Sequence, residues 1–241
     1  MLIVYSPAID RQIPQIHKEL IEAESAGDAG TSVRQVFDSV SNFDSSEAIA
    51  HINSLSPDDL AGQPVVFISA YAQAGGYGAN DHFVQNLFAG DALKRYGAGP
   101  MWNIVLFGPY ARQDQPRPDK MESVGCDVAG RALAHNFSGF TTVEIHSDKG
   151  QDLLKSHFGE NNVLNIDPTE LLAQSLPLAD LHDPVVISPD EGANARADAL
   201  AERLNADRFY ISKQRHITKT KVVNAKGDVA GRDAILVDDM F

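Results

Sequence analysis

The sequence predicts an α/β protein made of two stacked, doubly wound domains with parallel sheets. Short runs that are apolar throughout recur along the 241 residues, which is typical of strands buried on both faces. Segments with apolar residues at helical spacing separate these runs, as in folds where strands and helices alternate. The stretch over residues 161–183, which contains Pro168 and Pro177, divides this pattern. We therefore expect an N-terminal domain over residues 1–158 and a C-terminal domain over residues 159–241.

Each predicted element depends on the spacing of its apolar residues. Apolar or mainly apolar runs predict strands at residues 2–5, 65–68, 102–107, 141–145, 185–187, 208–211 and 234–237. Apolar residues three to four positions apart predict helices at residues 13–21, 83–93, 129–134 and 193–204. In the second of these helices, we expect Phe83, Leu87, Phe88 and Leu93 to face the core.

Composition and charge exclude several classes of function. The net charge of −13 repels nucleic-acid phosphates, so nucleic-acid binding is not expected. An acidic protein that binds a nucleotide needs local Lys or Arg and a divalent metal to offset the phosphate charge. Cys126 is the single cysteine, so no intrachain disulfide can form and a reducing, cytoplasmic location is expected. The chain has no apolar run of membrane-spanning length and no signal-peptide pattern, so no membrane association is expected.

Charged or polar residues follow five of the predicted strands. They occupy positions 111–114, 146–148, 188–192, 213–216 and 238–239. Because ligands of parallel sheets bind at the carboxyl ends of the strands, these positions are the candidates for a binding site.

Five blocks of sequence resemble the ribose-phosphate pyrophosphokinase (PRPP synthetase) family and occur in that family's order. They are NDH and DALKR within residues 80–95, YARQD at 110–114, SPDEG at 188–192 followed by RA at 196–197, KQR at 213–215, and GDV and ILVDDM within 227–240. The resemblance implies transfer of the β,γ-diphosphoryl group of ATP to the C1 hydroxyl of ribose 5-phosphate, which gives PRPP and AMP. It also implies domains of the phosphoribosyltransferase type, Mg²⁺ as cofactor, and a homo-oligomer built from dimers, such as a hexamer.

The resemblance assigns ATP binding to the residues that follow two strands of the first domain. Arg112 can hold phosphate as a bidentate fork, Gln113 can pair with the nucleotide through its amide, and Asp114 completes the block. His146 corresponds to a family histidine near the metal and the triphosphate. Mg²⁺ prefers oxygen ligands, so His146 is expected near phosphate or metal-bound water, and Asp190 near a second metal.

The resemblance assigns the acceptor and the catalytic cations to the second domain. Asp190, Asp238 and Asp239 correspond to carboxylates that bind the ribose phosphate. Lys213 and Arg215 correspond to a basic pair that stabilises the transition state from a mobile loop, where two cations can close on developing negative charge.

Several positions depart from the family pattern. Phe43 and Glu47 match the motif FSDGE, whose Phe stacks on the adenine bound by a neighbouring subunit, but Ser45 replaces the residue that usually recognises the adenine amine. Glu144 stands where an Asp is common, and residues 147–150 are shorter and more charged than the usual continuation. The chain also stops at residue 241, inside the loop that holds the 5-phosphate in the family, so a longer native chain is expected.

Three rival functions stay open at the level of sequence. One is the same transfer to another ribose 5-phosphate ester, such as ADP-ribose. Another is a non-catalytic regulatory paralogue, against which the retained Asp190, Lys213 and Arg215 argue. The third is a phosphoribosyltransferase, which would share ILVDDM but would not need the ARQD and KQR blocks.

Overall fold

A computed structural model describes residues 1–6, 9, 15, 16, 18, 19, 22, 32–35, 39–42, 47–52, 55–71, 73, 76–216, 219–226 and 228–238. For residues 32–35, 39–42, 212–216 and 219–226, the structure describes the backbone only. The chain divides into two compact units, Met1–Ile166 and Asp167–Phe241. The helix predicted over residues 13–21 lies largely outside the described residues.

The first unit is built on a sheet in which all strands run parallel. The described strands of this unit are β1 Leu2–Tyr5, β2 Ser32–Gln35, β3 Ser39–Asn42, β4 Ala48–His51, β5 Val65–Ser69, β6 Met101–Val105, β7 Gly139–Val143 and β8 Val163–Ile166. Six of them form the main sheet in the order β2-β1-β5-β6-β7-β8, while β3 and β4 pair antiparallel. The predicted alternation of buried parallel strands with helices is therefore confirmed.

Four helices of the first unit have described bounds, α1 Pro57–Leu60, α2 Ala79–Arg95, α3 Gly125–Ala134 and α4 Asp148–Phe158. Two of them begin at a serine cap. Ser56 caps α1 and Ser147 caps α4, because their side-chain oxygens accept hydrogen bonds from Asp59 N and Gly150 N. Such caps satisfy backbone donors that a helix leaves unpaired in its first turn.

The core of the first unit contains several fully buried rings. Phe67 of β5 stacks on Phe137 with ring centroids 5.6 Å apart, and Phe140 of β7 packs against Phe158 at 5.4 Å. Leu93 of α2 is fully buried in the same cluster. Complete burial of one such side chain stabilises the fold by about 1.5–3 kcal/mol, so this cluster holds the sheet and the helices together.

The buried face of α2 differs from the predicted one. Leu93 is buried, and Phe83 and Leu87 pack partly buried against the core, but Phe88 is 45% exposed, so its predicted core position is wrong. At about 100° per residue, position 88 projects away from the stripe through positions 82, 86, 89 and 93. Besides Leu93, the residues that α2 buries are His82, Gln85, Asn86, Ala89 and Gly90.

The second unit contains a smaller sheet of mixed direction. Its elements are α5 Thr169–Ser175, β9 Val185–Ser188, α6 Asn194–Leu204, β10 Asp207–His216, β11 Lys219–Lys226 and β12 Ala234–Leu236. The strand order is β11-β10-β9-β12, with β9 parallel to both β10 and β12. Val186, Ala197, Leu200 and Ile235 form the centre of its core.

The segment that carries Lys213 and Arg215 is a strand rather than the predicted loop. Both residues lie in β10, which pairs antiparallel with β11 as a hairpin, with a register shift between Ser212 and Lys213. Val222 and Val223 in β11 are β-branched and favour extended backbone, which explains why the hairpin continues beyond the predicted strand.

The stretch over residues 161–183 contains regular structure that the sequence did not predict. It includes β8, which pairs with β7 at the edge of the first sheet, and α5. The division between the two compact units falls within it, after Ile166. Among the described residues, no helix combines the length and the apolar character needed to cross a bilayer.

Candidate active site

The candidate site residues of the first unit follow two neighbouring parallel strands. Arg112, Gln113 and Asp114 lie in the loop after β6, and His146 lies in the segment after β7. Because β6 and β7 pair in parallel, both segments leave the same edge of the sheet. The fold therefore brings the ends of these two candidate segments to one place, as the sequence predicts.

Tyr110 anchors the start of the candidate loop on α2. Its hydroxyl donates a 2.7 Å hydrogen bond to Asn80 Oδ1, and its ring meets the ring of Phe83 edge-on at 5.4 Å. Tyr110 has φ 55°, a left-handed conformation that is uncommon for a residue with a side chain. Such backbone persists only where the surroundings fix it, and the two contacts to α2 serve that purpose.

Gln113 closes a turn that presents two polar side chains to solvent. Its backbone N–H donates to Tyr110 O at 2.9 Å, and its own carbonyl accepts from Cys126 N at 3.0 Å, at the start of α3. Gly125 allows a close approach of this turn, because a Cβ at that position would lie 3.1 Å from the Cβ atoms of both Gln113 and Tyr110. The turn is thus fixed on two helices, while Arg112 and Gln113 stay exposed.

Asp114 joins the loop to the segment that carries His146. Ser147 Oγ donates a hydrogen bond to Asp114 Oδ2, and the same Oγ accepts from Gly150 N as the cap of α4. Lys149 Nζ, two residues after Ser147, donates to Gln115 Oε1. His146 directly precedes Ser147 and is exposed.

The segment after β7 is held by hydrogen bonds to β8. Glu144 has φ 48°, and its N–H donates to Ile166 O at 3.0 Å. The N–H of Ile145 donates to Asn165 Oδ1 at 2.9 Å. Strand β7 therefore ends at Val143, and these bonds fix the backbone directly before His146.

A recess of about 470 Å³ beside the loop does not suit a polyphosphate. Its charged lining consists of the carboxylates Asp114, Asp127 and Asp152 and a single ammonium, that of Lys149. An excess of carboxylates repels phosphate. Arg112, which is exposed, and His146 are not part of this lining.

Buried polar residues underlie this edge of the sheet, and the sequence reading did not find them. Ser69 Oγ, at the end of β5, donates to Asn103 Oδ1 of β6 at 3.0 Å, and both side chains are fully buried. Tyr71 is buried two residues further on, and burial raises the pKa of its hydroxyl. The signal available in the sequence was the polar Ser and Asn inside otherwise apolar strands.

Cys126 carries no nucleophilic chemistry at this edge. Burial raises the pKa of its thiol to about 11, and the nearby carboxylates of Asp114 and Asp127 act in the same direction. A thiol with so high a pKa is protonated at neutral pH and is a poor nucleophile.

The candidate residues of the second unit also follow adjacent parallel strands. Asp190 comes two residues after β9, and Asp238 two residues after β12, which pairs with β9. Asp190 Oδ1 accepts from Gly192 N at 3.1 Å, which fixes the turn that leads into α6. The carbonyl of Asp190 accepts from Ser188 Oγ at 2.6 Å.

Asp238 forms an ion pair with Arg196, a residue that appeared in the sequence analysis only as part of the RA motif at 196–197. Arg196 Nη1 of α6 lies 3.6 Å from Asp238 Oδ1, and the exposed fractions of the two side chains are 13% and 24%. The pair therefore restrains the carboxylate of Asp238 beside α6.

The remaining predicted residues are placed as follows. Lys213 and Arg215 lie in β10 beyond Tyr210, the residue level with the last residue of β9. Glu47 is exposed directly before β4. The predicted Phe43 and Asp239 lie outside the described residues.

The described residues contain no group of three His, Cys, Asp or Glu side chains that could hold a metal ion. Mg²⁺ is commonly held by one or two carboxylates together with substrate phosphates and water. Asp190 stays the predicted oxygen ligand of the second unit, and His146 the predicted partner of phosphate or metal-bound water in the first.

Comparison with known proteins gives consistent matches. A ribose-phosphate pyrophosphokinase from Chromobacterium violaceum is 34% identical over 164 residues, which are 67% of this chain and 49% of the relative. One from Vibrio cholerae is 30% identical over 209 residues, which are 84% of this chain and 61% of the relative. The chain therefore spans about half to three-fifths of the length of these relatives. No protein-family model matches it.

The fold is also that of a solved structure. The phosphoribosylpyrophosphate synthetase from Mycobacterium smegmatis superposes with a TM-score of 0.76 at 23% identity, covering 99% of this chain and 70% of that one. Two α/β units with candidate residues at the carboxyl ends of parallel strands define a protein of the phosphoribosyltransferase fold type, as predicted. Over the matched residues, the chain is similar in sequence to ribose-phosphate pyrophosphokinases.

Proposed function

We propose that this protein transfers the β,γ-diphosphoryl group of ATP to the C1 hydroxyl of ribose 5-phosphate, giving phosphoribosyl pyrophosphate and AMP. The observation that carries the proposal is the anchored turn over residues 110–114. It presents Arg112 and Gln113 next to the segment of His146, at the carboxyl edge of a parallel sheet. Relatives named for pyrophosphokinase activity support the same reading.

The first unit would bind ATP. The guanidinium of Arg112 suits phosphate oxygens, since its planar fork can donate two parallel hydrogen bonds. The amide of Gln113 can both donate and accept, and so can pair with the nucleotide. His146 would contact the triphosphate or a metal-bound water, and Asp114 would support the turn.

The second unit would bind ribose 5-phosphate. Asp190 and Asp238 follow paired strands, so their carboxylates lie at one edge and can accept hydrogen bonds from ribose hydroxyls. The ion pair with Arg196 restrains the carboxylate of Asp238 at this edge. Asp239, the next residue in the chain, would complete this group.

Lys213 and Arg215 would stabilise the charge that develops during transfer. Diphosphoryl transfer needs positioning and charge neutralisation more than covalent help from the protein. Cations on β10, which extends beyond the end of β9, can serve this purpose.

Mg²⁺ would supply further neutralisation of phosphate charge when bound. Its ligands would be mainly phosphate oxygens, with His146 near the triphosphate and Asp190 near the ribose side. Arg112 supplies local positive charge, which a protein with net charge −13 needs in order to attract a polyphosphate.

We further propose a cytoplasmic homo-oligomer built from dimers, such as a hexamer. In this assembly Phe43 and Glu47 of one subunit would approach the adenine bound by another. Light scattering of the purified protein measures the assembly size, and a monomer at all concentrations would contradict this part of the proposal.

The test of the activity is AMP formation from ATP in the presence of Mg²⁺. The purified protein is incubated with ribose 5-phosphate or with ADP-ribose, and nucleotides are separated by chromatography. We expect AMP to form when ribose 5-phosphate is the acceptor but not when ADP-ribose is. We expect no AMP after EDTA is added. AMP with ADP-ribose alone would identify a different acceptor, and AMP without any acceptor would indicate simple hydrolysis.

A further inference from the structure

We infer that Ser147 is a positioning residue that binds Asp114 and thereby holds the two ATP-facing segments of the first unit as one body. The inference rests on the proposed function and assigns a role in it to two residues. One is Ser147, in a segment that departs from the family pattern. The other is Asp114, which would link the two segments rather than bind ATP.

The link is built at the cap of a helix. Ser147 Oγ accepts from Gly150 N at 3.0 Å, which directs its own proton elsewhere, and that proton is donated to Asp114 Oδ2. A hydroxyl can serve both roles at once, because it has one donor and two acceptor sites. A hydrogen bond to a carboxylate is stronger than one between neutral groups.

The loop is already fixed at its other end. Tyr110 is bonded to Asn80 of α2, and the carbonyl of Gln113 is bonded to Cys126 N of α3. Ser147 adds an attachment to α4, directly after His146. Through this bond, the position of Arg112 on the loop becomes tied to that of His146.

The charge of Asp114 explains why such a link is needed. Its carboxylate lies two residues from Arg112, in a loop proposed to face a polyphosphate, where a negative charge is unfavourable. The bond to Ser147 keeps this carboxylate beside α4, where it lines the acidic recess. The cation of Arg112 is then left to act on phosphate.

Four variants separate this role from simple capping of α4. Ser147→Thr keeps the cap and the donor, whereas Ser147→Ala removes both. Ser147→Asp keeps a good cap but places a second carboxylate against Asp114. Ser56→Ala is the matched control, because Ser56 caps α1 through its bond from Asp59 N and takes no part in the site.

The readouts are the steady-state KM for ATP, kcat, and the Kd for ATP from titration of the Mg²⁺-containing protein. We expect Ser147→Ala and Ser147→Asp to raise KM and Kd by about tenfold, the scale of one lost hydrogen bond to a charged group. We expect kcat within about threefold of the wild type, because the cations proposed to act on the transition state are untouched. Ser147→Thr and Ser56→Ala should match the wild type in KM and Kd.

Other outcomes overturn the inference. A wild-type KM in Ser147→Asp would mean that capping alone matters. An equal rise in Ser56→Ala would mean that the effect is general destabilisation. A wild-type protein that binds ATP but forms no AMP would reject the proposed function, and the Kd series would still decide the role of Ser147.

Discussion

Arg196 and Asp238 form an ion pair in the second unit, with 3.6 Å between Nη1 and Oδ1 and with both side chains largely buried. The pair joins the first turns of α6 to the end of β12. It therefore fixes the carboxylate that we propose for ribose binding, and it couples that site to the packing of the unit.

We predict that Arg196→Ala destabilises the protein by about 1–3 kcal/mol, because it leaves a partly buried carboxylate without its cation. Urea unfolding measures the loss. Arg208→Ala is the control, since its pair with Asp198 is more exposed, at 42% and 44%, and should contribute less than about 1 kcal/mol. Equal losses in both variants would contradict a special role for Arg196.

Arg112→Ala is expected to weaken ATP binding about tenfold or more, because a bidentate contact to phosphate is lost. A nucleotide titration measures the change. Arg95→Ala serves as the control, since Arg95 is paired with Asp91 on the exposed side of α2. Unchanged affinity in Arg112→Ala would remove this residue from the binding site.

Lys213→Ala is expected to lower kcat by about 10²–10³-fold while leaving the KM for ATP within about twofold. The reason is that its charge would act mainly on the transition state. Steady-state AMP formation measures both constants, and Lys18→Ala, which alters an exposed i,i+4 pair with Glu22, is the control. Turnover close to the wild-type value would exclude Lys213 from the mechanism.

The Arg117–Glu122 ion pair should make the stability of the loop before α3 depend on pH in the acid range. Hydrogen bonds from Arg117 lower the pKa of Glu122 to about 2, from an ordinary value of 4.5. Because the folded pKa is depressed, the stabilisation is present above pH 4.5 and is lost as the pH falls towards 2. Carboxyl NMR titration measures the midpoint, which should return towards 4.5 in Arg117→Ala. A wild-type midpoint near 4.5 would show that the pair does not form in solution.

Local sequence patterns predicted several elements, but they missed others, among them β8, β11, α4 and α5, and they misassigned part of the buried face of α2. Runs such as 65–68 and 185–187 are apolar throughout, and this predicts a buried parallel strand wherever the run is packed. The α2 helix was predicted from the spacing of its apolar residues, yet Phe88 is exposed while His82 and Asn86 are buried. Apolar spacing cannot reveal a buried polar face, because it counts only apolar side chains.

For the candidate site too, the sequence predicted some features and only the tertiary structure showed the others. The sequence alone determined that Arg112, His146, Asp190 and Asp238 come just after strands, since the apolar runs end there. Only the tertiary structure decided that Ser147 would bond Asp114 and that Arg196 would pair with Asp238. These partners are far apart along the chain, and they meet because strand order sets which loops become neighbours, which no local period encodes.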